Sequence, residues 1–252
     1  NPKLFVSYHI NDDIHLYANA AKGFRSGGFN SVGVPPYDPE SVWSYELGSK
    51  LSLMEGRLDA DLAYFYSEYD NYQVLGRVPG VFFSVVSNAG NATLKGVDLS
   101  LILLATEHLE LGFTGNYIET EFTKIKVPGS SHAVGDPVDL VPQYGFSVWT
   151  HYSFNWFDQS PGFLRIDYSQ QGKAHFRNRT FDDPVQGLVY HNTSDIIDTL
   201  NARIGWESNQ LSLELYGLNL LDEHGFIGPF GNELNSPRPR PRTIGFKLGY
   251  HF

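Results

Sequence analysis

Hydrophobic and polar residues alternate one by one along most of the chain, which is the period of a β-strand with two different faces. The last ten residues, T-I-G-F-K-L-G-Y-H-F, show this pattern most clearly. Ile244, Phe246, Leu248, Tyr250 and Phe252 fall on one face, and polar residues and glycines fall on the other. Such a strand fits a soluble β-sandwich or a membrane barrel, in which lipid covers one face and water wets the other. Because the alternation continues to the terminal carboxylate, where chains usually fray, it favours the barrel.

Earlier alternating stretches bring the predicted number of strands to about eleven. Short polar turns lie near residues 11, 55, 107, 160 and 209. Long loops lie near residues 30, 83, 133, 184 and 230, the first four being predicted over 22–40, 76–90, 124–142 and 173–194. Short and long connections alternate strictly, as do the periplasmic turns and extracellular loops of an outer-membrane barrel, whereas a Greek-key sandwich would mix them. We therefore predict an all-β fold, a transmembrane antiparallel up-and-down β-barrel.

The strand count also bears on how much of a barrel the chain contains. Single-chain bacterial barrels have an even number of strands, with both chain ends in the periplasm. With about eleven strands, the first strand would start on the outside. The chain opens directly on the strand-like N-P-K-L-F-V-S-Y, without an export signal. We expect residues 1–252 to be the C-terminal part of a wider barrel, with the first strands lying upstream.

Composition excludes several other classes of protein. No run of about 18 apolar residues is present, which excludes a helical membrane protein. The net charge of −10 argues against nucleic acid as a partner, because a phosphate binder carries a basic surface. The chain has no cysteine, so it has neither a disulfide framework nor a thiolate metal site.

Two basic stretches in the predicted loops are candidates for binding chemistry. Residues 237–242 read P-R-P-R-P-R, and a stiff extended backbone would place the three guanidinium groups on one side, where they could grip an anion bidentately. Residues 175–179 read H-F-R-N-R, with Tyr190 later in the same loop. The alternatives are contacts with lipid phosphates or lumen carboxylates, and ordinary loop chemistry. The candidate ligand-binding residues are Arg177, Arg179, Arg238, Arg240, His175 and Tyr190.

Catalytic and metal-binding patterns are missing from the sequence. Its nine histidines show no close spacing such as H-x-x-x-H, so we expect no metal held by the protein. Carboxylates on the polar faces of several strands suit a water-lined wall better than a glycosidase pair. They are Glu46, Asp59, Asp61, Asp98, Glu110, Asp167, Glu207 and Glu214. No G-x-S-x-G, H-E-x-x-H or phosphate loop occurs, and we expect no enzyme.

Aromatic residues near strand ends suit the girdles that mark the two membrane surfaces of such a barrel, and a sugar-stacking platform is the functional alternative. These residues are Trp43, Tyr45, Tyr64, Tyr66, Tyr69, Tyr72 and Trp206.

Five stretches together resemble the C-terminal half of a TonB-dependent outer-membrane receptor. They are Y-A-N-A-A-K-G-F-R-S-G-G-F-N (17–30), Y-D-P-E-S-V-W-S-Y-E-L-G-S-K (37–50), V-S-N-A-G-N-A-T-L-K-G-V-D-L-S (86–100), L-Y-G-L-N-L-L-D-E (215–223) and P-R-T-I-G-F (241–246). Each is loose alone, but the five occur in the family's order and span nearly the whole chain. One departure is N-L-L-D at 219–222, where the family usually reads N-L-F-D.

The resemblance implies a 22-stranded barrel with an N-terminal plug in the bacterial outer membrane. It implies import of a scarce ligand, such as a ferric siderophore or similar chelate, energised by a TonB-type complex through N-terminal parts that this chain lacks. Iron would arrive only inside its chelator, so no cofactor is expected. Outer-membrane lipid and the barrel assembly machinery are the other expected partners, the latter through Phe252, Tyr250 and Leu248. A passive porin and a soluble sugar-binding β protein are the alternatives.

Overall fold

A computed structural model describes residues 1–76, 85–127, 132–156, 160–176, 193–208, 210–228 and 237–250. In these residues eleven strands form one antiparallel sheet, and the strand order in the sheet is the order in the sequence. The strands are β1 (Lys3–His9), β2 (Ile14–Arg25), β3 (Glu40–Leu53), β4 (Leu58–Gly76), β5 (Val85–Thr106), β6 (Leu109–Ile125), β7 (Tyr144–Asn155), β8 (Pro161–Gln171), β9 (Ile197–Glu207), β10 (Leu211–Leu218) and β11 (Thr243–Tyr250). Both the up-and-down topology and the count are confirmed.

Short and long connections alternate as predicted, so the sheet has a turn end and a loop end. The turn end carries the connections near residues 11, 55, 107, 160 and 209. In the β3–β4 turn, Met54, Glu55 and Gly56 all have positive φ angles of 55–79°. No helix in the described part of the chain is long and apolar enough to cross a membrane.

Some residues predicted as loop belong to strands. In the predicted loop 76–90, β5 already begins at Val85, and β2 and β6 run on to Arg25 and Ile125. Register shifts interrupt the β4–β5 ladder between Tyr69 and Gln73. These strand ends lack a simple alternation because both of their faces meet protein or water, so the prediction by period two fails there.

Strand register divides the sheet into two faces, because directly paired residues lie on the same side. Tyr17, Gly48, Ala63, Asp98 and Asn116 are paired in one row across β2 to β6. We call the side of this row the inner face. All eight carboxylates selected from the sequence lie on it. The inner face is therefore the polar wall that the alternation predicted.

The outer face is apolar over a limited height. On β5 it carries Val97, Leu99, Leu101 and Leu103, followed towards the loop end by Lys95, whose Nζ lies 2.9 Å from Glu119 Oε2 on β6. A membrane-spanning strand needs about 9–11 residues. Since β5 has 22 residues, much of the sheet around it extends beyond the apolar band at the loop end.

The terminal strand has its predicted faces. Ile244, Phe246, Leu248 and Tyr250 lie on the outer face and are each more than half exposed. On the inner face, Lys247 Nζ lies 3.2 Å from Glu214 Oε1 of β10.

Some of the aromatic residues predicted to form the girdle lie on the outer face, as expected, but two do not. Trp43 and Tyr45 lie on the outer face with ring centroids 6.1 Å apart, as a girdle requires. Tyr69 and Tyr72 instead pack against a buried group of four residues. The register shift between them, with Asn71 at a φ of 56°, redirects this end of β4. The buried group, which we call the apical cluster, consists of Ala89, Ala92, Phe122 and Val138.

Candidate functional site

The β2–β3 loop is fixed to the top of β5 by two asparagines from stretches selected in the sequence. Asn30 Nδ2 donates to the carbonyl oxygens of Pro35 and Val86 at 2.8 and 2.9 Å, and its Oδ1 accepts from the Val86 amide at 3.0 Å. Asn88 Oδ1 accepts from the Asp38 amide at 2.7 Å, and its Nδ2 donates to the Asp38 carbonyl at 2.9 Å. These asparagines therefore hold a loop in place across 50 or more residues of sequence.

A buried polar pair supports the same loop from β4. The Gln73 amide donates to Glu40 Oε2 at 2.6 Å, and both residues are less than 9% exposed. The Gln73 side chain donates to the carbonyl oxygens of Ser26 and Asp38, each at 3.1 Å. The loop therefore rests on hydrogen bonds at its start and at its end.

The β6–β7 loop continues the β6 ladder and covers the apical cluster. The Phe122 amide donates to Asp136 O at 2.8 Å, and the Gly135 amide donates to Phe122 O at 2.9 Å. Val138 is 1% exposed, and its amide donates to Thr120 Oγ1 at 2.9 Å. Phe122, with no exposed surface, is thus enclosed by a loop that hydrogen bonds to its own strand.

The β6–β7 loop and two further loops, β8–β9 and β10–β11, join one another through their bases. The Leu140 amide donates to His175 O at 2.8 Å, and His175 pairs with Thr193 across the β8–β9 loop. The Asp195 amide donates to Phe226 O, and the Phe226 amide donates to Asp195 Oδ2, both at 2.9 Å. This continuous band, which we call the loop collar, contains Leu140 and residues 173–176, 193–196, 223–228 and 237–242.

The three arginines of P-R-P-R-P-R have different roles in the collar. The Arg238 guanidinium lies 4.2 Å from the ring centroid of Phe226 and donates to His224 O at 2.7 Å. Arg242 Nη2 lies 3.3 Å from Asp222 Oδ2. Arg240 is exposed, and within the described ranges its guanidinium makes no hydrogen bond or ion pair. Arg238 and Arg242 thus make contacts within the chain, Arg240 is left for other contacts, and the binding role of Arg238 and Arg240 stays a prediction.

Asn219, which the sequence reading passed over, fixes the backbone of Arg240. It is 6% exposed and has a φ of 49°, which asparagine tolerates better than most residues. Its Nδ2 donates to Arg240 O at 2.8 Å and to Glu223 O at 2.9 Å, and its Oδ1 accepts from the Glu223 amide at 2.9 Å. Asn219 opens the N-L-L-D sequence, and Leu221, which departs from the resembled pattern, is 51% exposed. From the sequence, the burial of Asn219 could have been suspected only because it belongs to this motif.

Some predicted site residues lie outside the described residues, namely Arg177, Arg179, Tyr190 and Phe252. Of the others, His175 is exposed and belongs to the collar, as do Arg238 and Arg240. The Asp195–Phe226 hydrogen bonds connect the base of the loop that holds His175 to the loop that holds Arg238. The structure therefore brings His175 and Arg238 to the same end of the sheet.

Below the collar, the inner face forms a polar concavity of about 570 Å³. Its lining includes Tyr17, Glu46, Asp61 and Asp98, and it is acidic except for Lys50, whose Nζ lies 3.5 Å from Asp61 Oδ2. These carboxylates are spread over neighbouring strands and are not arranged as one general acid facing one base. The arrangement suits a water-lined wall better than a catalytic centre.

Comparison with known proteins agrees with this geometry. Residues 1–220 match the model of the family described as TonB dependent receptor-like, beta-barrel. The metal-pseudopaline receptor of Pseudomonas aeruginosa is 28% identical over 99% of this chain and 33% of its own length. The pesticin receptor of Yersinia enterocolitica is 30% identical over 99% of this chain and 36% of its own length. The chain thus spans about a third of the length of these curated relatives.

A solved structure shows the same fold. The ferric yersiniabactin uptake receptor of Yersinia pestis superposes with a TM-score of 0.78 at 21% identity, over 99% of this chain and 37% of that one. With the family match over most of the chain, this sets aside the porin and the soluble sugar-binding protein. The chain belongs to the TonB-dependent receptor β-barrels of the bacterial outer membrane, a family of transporters and not of enzymes.

Proposed function

We propose that the protein imports a metal chelate, such as a ferric siderophore, with energy supplied by the TonB system. Support comes from the names of its relatives, which include a metal-pseudopaline receptor and a ferric yersiniabactin uptake receptor. In this proposal the imported metal is cargo that travels inside its chelator, and import requires no cofactor held by the protein. The terminal strand presents Leu248 and Tyr250 on an apolar face that the barrel assembly machinery would receive, and Phe252 stays a candidate for this contact on the basis of the sequence.

The observation that supports a capture role best is the arrangement around Arg240. Its guanidinium is exposed and unpaired among the described residues, while its own carbonyl oxygen is held by buried Asn219. A donor group on a fixed backbone loses little conformational freedom when it binds. A guanidinium offers bidentate, charge-assisted hydrogen bonds to a carboxylate, so a chelate with a free carboxylate is the ligand that Arg240 suits.

The neighbouring collar residues complete the proposed site. Arg238 stabilises the loop through its contacts with the Phe226 ring and His224 O, and it adds a positive charge two residues before Arg240. His175 contributes an exposed imidazole at the base of the β8–β9 loop. Arg177, Arg179 and Tyr190, from the same loop, stay candidates for capture on the basis of the sequence. The preferred ligand class is an anionic chelate.

Uptake of an iron-labelled anionic chelate by cells in which this protein is the sole receptor tests the proposal. Arg240→Gln keeps the backbone and removes the charge, and we expect uptake below saturation to fall about fivefold to tenfold. Arg242→Gln is the matched control, because that arginine lies in the same segment but is paired with Asp222. Equal uptake by wild type and Arg240→Gln, at equal surface amounts, would remove Arg240 from the site.

A neutral chelate provides the second arm of this test. Its uptake should be unaffected by Arg240→Gln, since no charge on the ligand is lost as a partner. If neither chelate is taken up even by the wild-type receptor, the assignment to chelate import is wrong, whatever the role of Arg240.

A further inference from the structure

Two histidines face each other on the inner face near the turn end. His9 of β1 and His15 of β2 are direct partners in the register. Their ring centroids are 4.3 Å apart and the ring planes differ by 16°. The hairpin between them is tight, with the Asp13 amide donating to Asn11 Oδ1 at 3.0 Å. In the described residues this is the one pair of histidines in ring contact.

One nitrogen of this pair lacks a partner. Nε2 of His15 is sheltered from solvent and makes no hydrogen bond within the described part of the chain. A sheltered polar atom without a partner is uncommon, so it calls for an explanation. The Tyr17 ring centroid lies 6.3 Å from that of His15 and closes one side, but it gives Nε2 of His15 no hydrogen bond.

We propose that His9 and His15 chelate a divalent transition-metal ion. Imidazole nitrogens bind such ions at about 2.0–2.1 Å, which places two of them about 3 Å apart on one ion. Directly opposed residues on antiparallel strands have Cβ atoms about 4.5–5.5 Å apart, so modest rotation of both rings allows their nitrogens to converge. Water fills the other coordination positions. Cu²⁺ is bound most tightly, because it leads the affinity order for nitrogen ligands.

The surrounding charges permit a cation there. Lys50 is the other cross-strand neighbour of His15, and its ammonium group is 3.5 Å from the Asp61 carboxylate, which offsets its charge. Asp12 and Asp13 in the adjoining turn add two negative charges. The site lies at the opposite end of the sheet from the loop collar and does not depend on the function proposed for Arg240.

Copper titration of the native protein tests this assignment. The protein is purified untagged in detergent, stripped with a chelator and titrated with Cu²⁺ alone against a competing chelator of known affinity. We expect one tight site whose electron paramagnetic resonance spectrum shows coupling to two nitrogens. His9→Phe keeps ring stacking and removes a ligand, so it should weaken binding at least tenfold. His15→Asn should do the same.

His151→Asn is the matched control. His151 is also on the inner face, with its ring 5.6 Å from Phe163, but an arginine and not a histidine is opposite it on β8. Its replacement should leave copper affinity unchanged. Folding of each variant is checked by the shift in electrophoretic mobility on heating. Unchanged affinity in His9→Phe, or a spectrum with a single nitrogen in the wild type, would show that the pair is only an aromatic stack.

Discussion

Replacing Asn219 with alanine should open the loop collar while leaving the sheet intact. The change removes three side-chain hydrogen bonds, two to Glu223 and one to Arg240, from a residue that is 6% exposed. At about 0.5–1.5 kcal/mol each, their loss costs roughly 2–3 kcal/mol, since water restores part of what the freed backbone groups lose. Alanine also tolerates the φ of 49° less well than asparagine, which adds to the cost.

Hydrogen exchange at the Ile227 amide measures this opening. That amide donates to Pro237 O at 2.9 Å across the two arms of the β10–β11 loop, so it reports on the arms without being a partner of Asn219. A cost of 2–3 kcal/mol corresponds to exchange that is about 30- to 150-fold faster. Amides in the middle of β10 should keep their wild-type rates.

Leu221→Ala is the control, because Leu221 belongs to the same short motif but is 51% exposed. Its effect on Ile227 exchange should stay within about twofold, as for most exposed substitutions. If Asn219→Ala left Ile227 exchange within threefold of wild type, the collar would be held by other contacts, and the fixed backbone assumed for Arg240 would lose its basis.

Three other predictions concern lipid contact, ligand charge and packing. Leu248→Arg puts a charge on the lipid face, which costs about 2–4 kcal/mol near the membrane midplane, and it should abolish assembly. Lys247→Leu on the inner face should be tolerated. If both variants gave equal amounts of heat-modifiable protein in outer membranes, the two faces would have been assigned the wrong way round. Replacing both Arg238 and Arg240 with glutamine should weaken uptake of an anionic chelate about tenfold in a radiolabel assay, and unchanged uptake by correctly assembled receptor would favour a neutral ligand. Phe122→Ala should cost about 3–5 kcal/mol in the apical cluster, seen as faster proteolysis of the β6–β7 loop; unchanged cleavage would mean that Phe122 does not hold that loop.

The strands in the apolar band could be predicted because lipid and water impose opposite requirements on alternate residues. This constraint extends over Val97–Leu103 and over the terminal strand, and both were assigned correctly. It ends above the band, where the structure continues β5 back to Val85 and the sequence suggests a loop. Pattern reading thus works where one face must meet lipid.

The side chains that shape the candidate site were harder to predict, because their partners are distant in sequence. Asn30 bonds to Val86, 56 residues away, and Asn219 bonds to Arg240, 21 residues away. The different states of Arg238 and Arg240 depend on an aromatic ring in the opposite arm of the loop. Likewise, His9 and His15 are six positions apart, a spacing that matches no metal motif until the hairpin register is known.

The height of the central strands determines what an arriving molecule meets first. At about 3.3 Å per residue and a tilt near 45°, the 22 residues of β5 rise roughly 50 Å, about twice the height of the apolar band of such a barrel. The upper half of β5 is therefore hydrogen-bonded sheet that extends some 25 Å beyond the hydrocarbon layer. Bending this part of the sheet inwards would break the hydrogen bonds that join β5 to β4 and β6. Movement at this end of the described sheet is therefore left to the loops that join the tall strands.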